Sequence, residues 1–125
     1  ALRKEKAMGA VKELENSAVV FNDAKAIVAR TSLDSGSVKD LVFKLKSTPS
    51  TLVILGNVVE GKVTLSIGVS DDLIASKGWH AGNAVRTLAK HINGGGGGQP
   101  GFATAGGKNP EGIDKVLVEW KNEFS

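Results

Sequence analysis

Five consecutive glycines, Gly94 to Gly98, run into Gln99-Pro100-Gly101-Phe102-Ala103-Thr104-Ala105-Gly106-Gly107, and no other stretch of the chain constrains its chemistry as much. Glycine lets a backbone approach a ligand closely, so consecutive N–H groups can converge on phosphate or sugar oxygens, and such a stretch favours an anion. The phosphate-binding motifs of nucleotide enzymes fail on the letters. With Gly107 and Lys108 as the closing pair of a P-loop, position 109 should be Ser or Thr and is Asn109, while position 102 should be Gly and is Phe102. A dinucleotide fingerprint fails as well, because these glycines follow a helical pattern rather than a strand. Catalytic groups are scarce. His80 and His91 are the only histidines and there is no cysteine, which leaves neither a zinc site nor a nucleophile triad. Asp71 and Asp72 are neighbours on a turn, face apart, and read as helix-start residues rather than a working carboxylate pair. The expectation is binding without an active site, a metal or a cofactor.

Composition bounds the kind of protein. With 125 residues, 41% apolar and 23% charged, the chain suits one compact soluble domain with one core. Its net charge of +3 permits an anionic partner, but Lys and Arg alternate with Asp and Glu and form no long basic run. The absence of cysteine fits a reducing cytoplasm. No apolar run approaches the roughly 18 residues of a membrane span, so the expected location is the cytoplasm, with no membrane contact.

The elements that must position the glycines follow from periodicity. Ala7, Val11, Leu14 and Ala18 are spaced as one seam of a coiled coil, which predicts a helix over residues 2–18 that leans on another element or continues a longer helix. Val19 to Phe21 and Ala26 to Thr31 read as strands about an Asn22-Asp23 turn. Ser37 and Asp40 resemble a capping box ahead of Val38, Leu41, Val42 and Leu45, and Pro49 stops that helix. Thr51 to Leu55 suits a strand buried on both faces, and Lys62 to Val69 alternates as a half-covered strand. Asp71 opens a short helix. A longer one spans His80 to Ile92, with Arg86 and Lys90 on its outer face. Asn109 as N-cap and Pro110 at the first helical position begin a last helix with Ile113, Val116, Leu117, Trp120 and Phe124 inward. The pattern predicts an α/β or mixed α+β fold: one mixed β-sheet packed with amphipathic helices and preceded by an N-terminal helix, with residues 1–18 the helix and 19–125 the globular part. Strand order stays open, because hairpins and helical crossovers are both available.

A glycine run is also the composition of a flexible linker. Its place between two helices that need the same core favours one exposed loop within the domain instead. Arg86, Lys90 and Lys108, with His91, Gln99 and Asn109, can border that loop as a small basic rim, although Arg86 and Lys90 also fit an ordinary solvated helix face. Phe102 is expected to plug the core and anchor the loop rather than stack on a base. No aromatic platform for single-stranded bases is evident.

His80-Ala81-Gly82, the helix from Asn83 to Ile92, Gly94-Gly95-Gly96-Gly97-Gly98-Gln99-Pro100 and Ala103-Thr104-Ala105-Gly106-Gly107 together resemble the signature near the C-terminus of bacterial alanyl-tRNA synthetases. A related glycine-rich subdomain occurs in the DHH family of phosphoesterases, where it supports nucleic-acid binding and is not the metal-bearing part. The resemblance covers essentially the whole chain. It implies a non-catalytic domain that binds the outer corner of alanine-specific tRNA and helps the other domains of a parent synthetase share that tRNA for aminoacylation and editing. Carried over, RNA binding falls on Gly94, Gly95, Gly96, Gly97, Gly98, Gln99, Gly106 and Gly107, with Arg86 and Lys90 as candidate phosphate contacts; Lys108, on the rim, completes the RNA-binding set. The family pattern often has Arg or Lys before the proline. Gln99 stands there in this chain, which weakens a charge-based grip at that position. Two other classes remain: the nucleic-acid-binding subdomain of a DHH-type phosphoesterase, which needs an upstream metal cluster, and a dimerisation or protein-interaction module using the Ala7–Ala18 seam as a homodimer contact.

Overall fold

A computed structural model describes residues 18–31, 35–59 and 61–124. The helix expected over residues 2–18, with its seam, lies outside them apart from Ala18, which packs against the core. In chain order the elements are β1 (Val19–Phe21), β2 (Ala24–Thr31), α1 (Ser35–Lys46), β3 (Thr51–Val59), β4 (Lys62–Val69), α2 (Asp71–Lys77), α3 (Ala81–Leu88) with a 3₁₀ turn over Ala89–Ile92, β5 (Gly95–Gly98), β6 (Phe102–Gly107) and α4 (Gly112–Phe124). The fold is mixed α+β. Six strands form one mixed sheet in the order β1-β2-β3-β4-β6-β5. Only the β2–β3 pair is parallel, with Ile27 opposite Val53, and α1 is the crossover that such a pair needs.

The sheet buries a cluster on each face. Val38, Leu41, Val42 and Leu45 recur at the three- and four-residue spacing of one helix face, which lays α1 over Ile27, Val53 and Leu55. On the other face α2, α3 and α4 cover Leu52, Ile54, Leu65 and Ile67, with Leu73, Val85, Leu88, Ile113, Val116 and Trp120 among their buried residues. At one end of that cluster Phe21 meets Trp120 edge-on at 4.8 Å and Trp79 meets Phe124 at 5.3 Å, spacings that favour aromatic pairs.

Several expectations shift. β4 is not half-covered: Ser66 and Gly68 on its second face are buried, and a side chain at Gly68 would collide with Val42 of α1. Ser37 lies inside α1 rather than at its cap, because the helix already starts at Ser35. The last helix begins at Gly112, after a turn in which the Asn109 and Pro110 carbonyls accept the Gly112 and Ile113 N–H groups at 3.1 and 3.2 Å. The Asn109 side chain does not serve that end; its amide nitrogen donates to the His91 carbonyl.

The largest change concerns the glycines. The exposed loop expected over Gly94 to Gly107 is a β-hairpin, β5–β6, that completes the sheet. β6 pairs with β4, Thr104 opposite Ser66, and Ala103 and Ala105 supply buried methyls to the large cluster. Tertiary pairing overrides the poor strand propensity of glycine.

Candidate nucleic-acid interface

The hairpin is tied down at both ends. At its tip the Gln99 N–H donates to the Phe102 carbonyl, the Pro100 carbonyl accepts the Ala81 N–H, and the Gly101 carbonyl accepts the Val69 N–H, all within 3.0 Å. At its base the Gly94 N–H reaches the Ala89 carbonyl, and the N–H groups of Lys108 and Asn109 share the Ile92 carbonyl. Asn93 sits in the left-handed region at φ 53° and turns the chain from the 3₁₀ turn into β5. His80 sets the start of α3: its Nδ1 accepts the Asn83 N–H at 3.1 Å.

Space explains why β5 is glycine. A β-carbon at Gly96 would collide with the Thr104 carbonyl and Ala105 Cα, and one at Gly98 would lie 2.6 Å from the Phe102 carbonyl. Gly94 is held the same way against Gly106, whereas Gly95 and Gly106 face open space. β5 therefore lies too close to β6 for side chains at alternate positions. As the last strand of the sheet it has no strand neighbour on its outer side among the described residues, so backbone donors and acceptors line that edge. Gly95, Gly96 and Gly98 are exposed.

The candidate side chains fall into three places. Arg86 projects from α3 onto β5, its Nε 3.3 Å from where a Gly97 β-carbon would stand. Lys90 is exposed on the 3₁₀ turn, beyond the depressions that border the hairpin. Lys108 joins Gly106, Gly107, Asn93, Thr64 and Lys62 around an open depression of about 350 Å³ at the hairpin base. Gln99 stands at the opposite end, on the rim of a larger depression of about 610 Å³. So the glycines, Gln99 and Arg86 come together, Lys108 stands at one end, and Lys90 stays apart.

Lys39, Phe43 and Lys46 of α1, which line the larger depression, were not evident as site residues, and neither was Lys62. The spacing of Lys39, Phe43 and Lys46 marks one helix face, but nothing in the sequence places that face beside a hairpin about 50 residues later. Phe102 is half-buried against the α1 side of the core, as the plug reading requires. Its ring is also 4.8 Å from that of Phe43. Among the described residues no group of three or more His, Asp and Glu could hold a metal ion, and no helix is long and apolar enough to cross a membrane.

Known proteins agree with this architecture. Alanine–tRNA ligases of Christiangramia forsetii and Cytophaga hutchinsonii are 42% and 38% identical over 118 and 120 residues, each alignment covering 94% of this chain and 14% of the ligase. The ligase of Halalkalibacterium halodurans is 45% identical over 95 residues, covering 75% of this chain and 10% of the ligase. The chain thus spans a small part of the length of these relatives. The C-Ala domain from Aquifex aeolicus alanyl-tRNA synthetase superposes with a TM-score of 0.77 at 22% identity, covering 87% of this chain and 98% of that one. A DHH domain of the s1p family of ribosomal proteins gives 0.59 at 16% identity, covering 96% of this chain and 29% of that one. At those identities the two structures speak for the fold. A family model described as the DHHA1 domain matches residues 23–125, so the chain belongs to the DHHA1 domain family.

Proposed function

We propose that this domain is a non-catalytic tRNA-binding part of an alanine–tRNA ligase, and that it holds the outer corner of alanine-specific tRNA against the β5–β6 hairpin. The observation that carries the reading is an exposed edge strand made of four glycines with the Arg86 guanidinium lying along it. Backbone donors can reach phosphates and 2′-hydroxyls there without a side chain between them, and the ties at tip and base hold them in place before RNA arrives. Gln99 meets the RNA at the tip, Gly106, Gly107 and Lys108 at the base. Lys90 acts on the phosphates at longer range. Chemistry and editing belong to other domains of the ligase, which the domain helps by holding their shared tRNA. Similarity to ligases over 94% of the chain favours this reading over a DHH-type phosphoesterase.

Few phosphate contacts imply weak salt dependence: the slope of log K against log salt should be on the order of minus two to minus four. The test is a titration of the chain with folded tRNA and with single-stranded RNA of equal length, repeated for Arg86→Glu/Lys90→Glu. Folded tRNA should bind more tightly, and the charge reversals should lower both affinity and slope. Equal affinity for the two RNAs, or undiminished binding by the double variant, would overturn the proposal.

A further inference from the structure

We infer that α1 forms a second wall of the RNA site, where Phe43 stacks on one unpaired base and Lys39 and Lys46 meet the phosphates beside it. This rests on the tRNA-binding reading and extends it to residues on the other side of the hairpin tip.

Phe43 is 43% exposed, and it is the aromatic residue left most open to solvent among the described residues. Its ring is not loose. Phe102 lies behind it at 4.8 Å and an interplanar angle of 35°, and Phe102 is itself packed against the α1 side of the core. Lys46 Nζ stands over the Phe43 ring, 5.2 Å from its centroid, and also beside Gly101 at the hairpin tip, 2.9 Å from where its β-carbon would be. One ammonium therefore stands over the ring and beside the tip, and a base that stacks on this face moves it from the ring to the phosphate. Lys39, one turn before Phe43, carries the second cation along the same wall.

The space between the walls fits the assignment. The depression of about 610 Å³ is bounded by Lys39, Phe43 and Lys46 on one side and by the chain from Gly97 to Thr104 on the other. A second depression of about 400 Å³ shares Lys39, Phe102 and Thr104 with the first and continues over Thr64, Ser66 and Asn57. The two make one cleft along the sheet, apolar at the ring and lined with hydroxyls beyond it. Asp71 is the acidic group on the lining, against two lysines. A propped aromatic face flanked by cations suits a base and its phosphates, because every base offers a π-face and stacking needs no hydrogen-bond match.

The experiment measures affinity of the whole chain, Phe43→Ala, Phe43→Tyr and Lys39→Gln/Lys46→Gln for folded tRNA and for the tetranucleotide of uridylate. Phe43→Ala should weaken tRNA binding about tenfold and leave the salt slope unchanged. Phe43→Tyr, which keeps the ring, should bind within about twofold of the parent. The lysine pair variant should make the slope shallower by on the order of 1.4, the effect of two phosphates of an unpaired strand, and it reads the same wall without touching the ring. The tetranucleotide should bind more weakly, with the same dependence on Phe43. If Phe43→Ala and the lysine variant bind tRNA like the parent while Arg86→Glu/Lys90→Glu does not, the α1 wall is overturned and the hairpin reading stands. If the parent fails to bind tRNA, the proposed function falls. The tetranucleotide then decides for the cleft: Phe43-dependent binding supports it, and absence of binding overturns it.

Discussion

A methyl group one residue to either side has opposite consequences in β5. At Gly96 it meets the backbone of β6, and at Gly95 it meets nothing. Gly96→Ala should therefore destabilise the protein by about 1–3 kcal/mol in urea unfolding, the range for forcing atoms into a filled space. Gly95→Ala should melt with the parent, and it is the variant that can test close approach of RNA without disturbing the sheet. Gly97→Ala should be tolerated better than Gly96→Ala, because the neighbour at Gly97 is the movable end of Arg86 and at Gly96 it is backbone. Asp72 gives a second test at this scale. Its carboxylate is held down to a pKa of about 2 by the Ser70 hydroxyl and by the Ser50 N–H and hydroxyl, which lie 2.9 to 3.0 Å away. The folded value is below the ordinary carboxylate value of 3.8, so the stabilisation is present above that pH and is lost as pH falls toward about 2. Asp72→Asn should remove this part of the stability–pH curve; a thermal melt series with the parent's acid limb unchanged would show that the clamp does not form.

At the level of elements, α4 shows how a single stripe holds the sheet. Ile113, Val116, Trp120 and Phe124 are all buried, with Leu117 half-buried beside them, and Trp120 carries the edge contact to Phe21 of β1. Trp120→Ala should cost about 3–5 kcal/mol, the range for truncating a buried large aromatic, measured by chemical unfolding. A parent-like transition would mean that α4 does not pack there. The hairpin shows the opposite economy of means. β5 contributes no side chain to the core and is held by pairing with β6 and by α3, which approaches so closely that a side chain at Gly82 would strike the Gly98 carbonyl. α1 has two working faces: Val38, Leu41, Val42 and Leu45 pack inward, while Lys39 and Phe43 look onto the hairpin tip.

For the whole molecule, the glycine run is a joint within the sheet and not between parts. β6 continues into α4, and α4 lies over β3, where a side chain at Gly56 would collide with Ile113. Limited proteolysis that nicks residues 94–98 should leave one associated, cooperatively melting species, and release of two separately folded halves would contradict this architecture. Much of this fold was legible from periodicity: α1 and α4 from their apolar stripes, β4 to the residue, and the outward direction of Arg86 on α3. These properties depend on neighbours three or four residues apart, or two apart in a strand, which the chain itself specifies. Strand order, the conversion of Gly94–Gly107 from expected loop to hairpin, the burial of Ser66 and Gly68, and the meeting of Lys39, Phe43 and Lys46 with the hairpin tip depend on segments far apart in sequence. A glycine strand has no side-chain period to read, and its pairing is decided by the β6 backbone it lies against. Only the tertiary structure, in which β6 pairs with the distant β4, holds that partner in place.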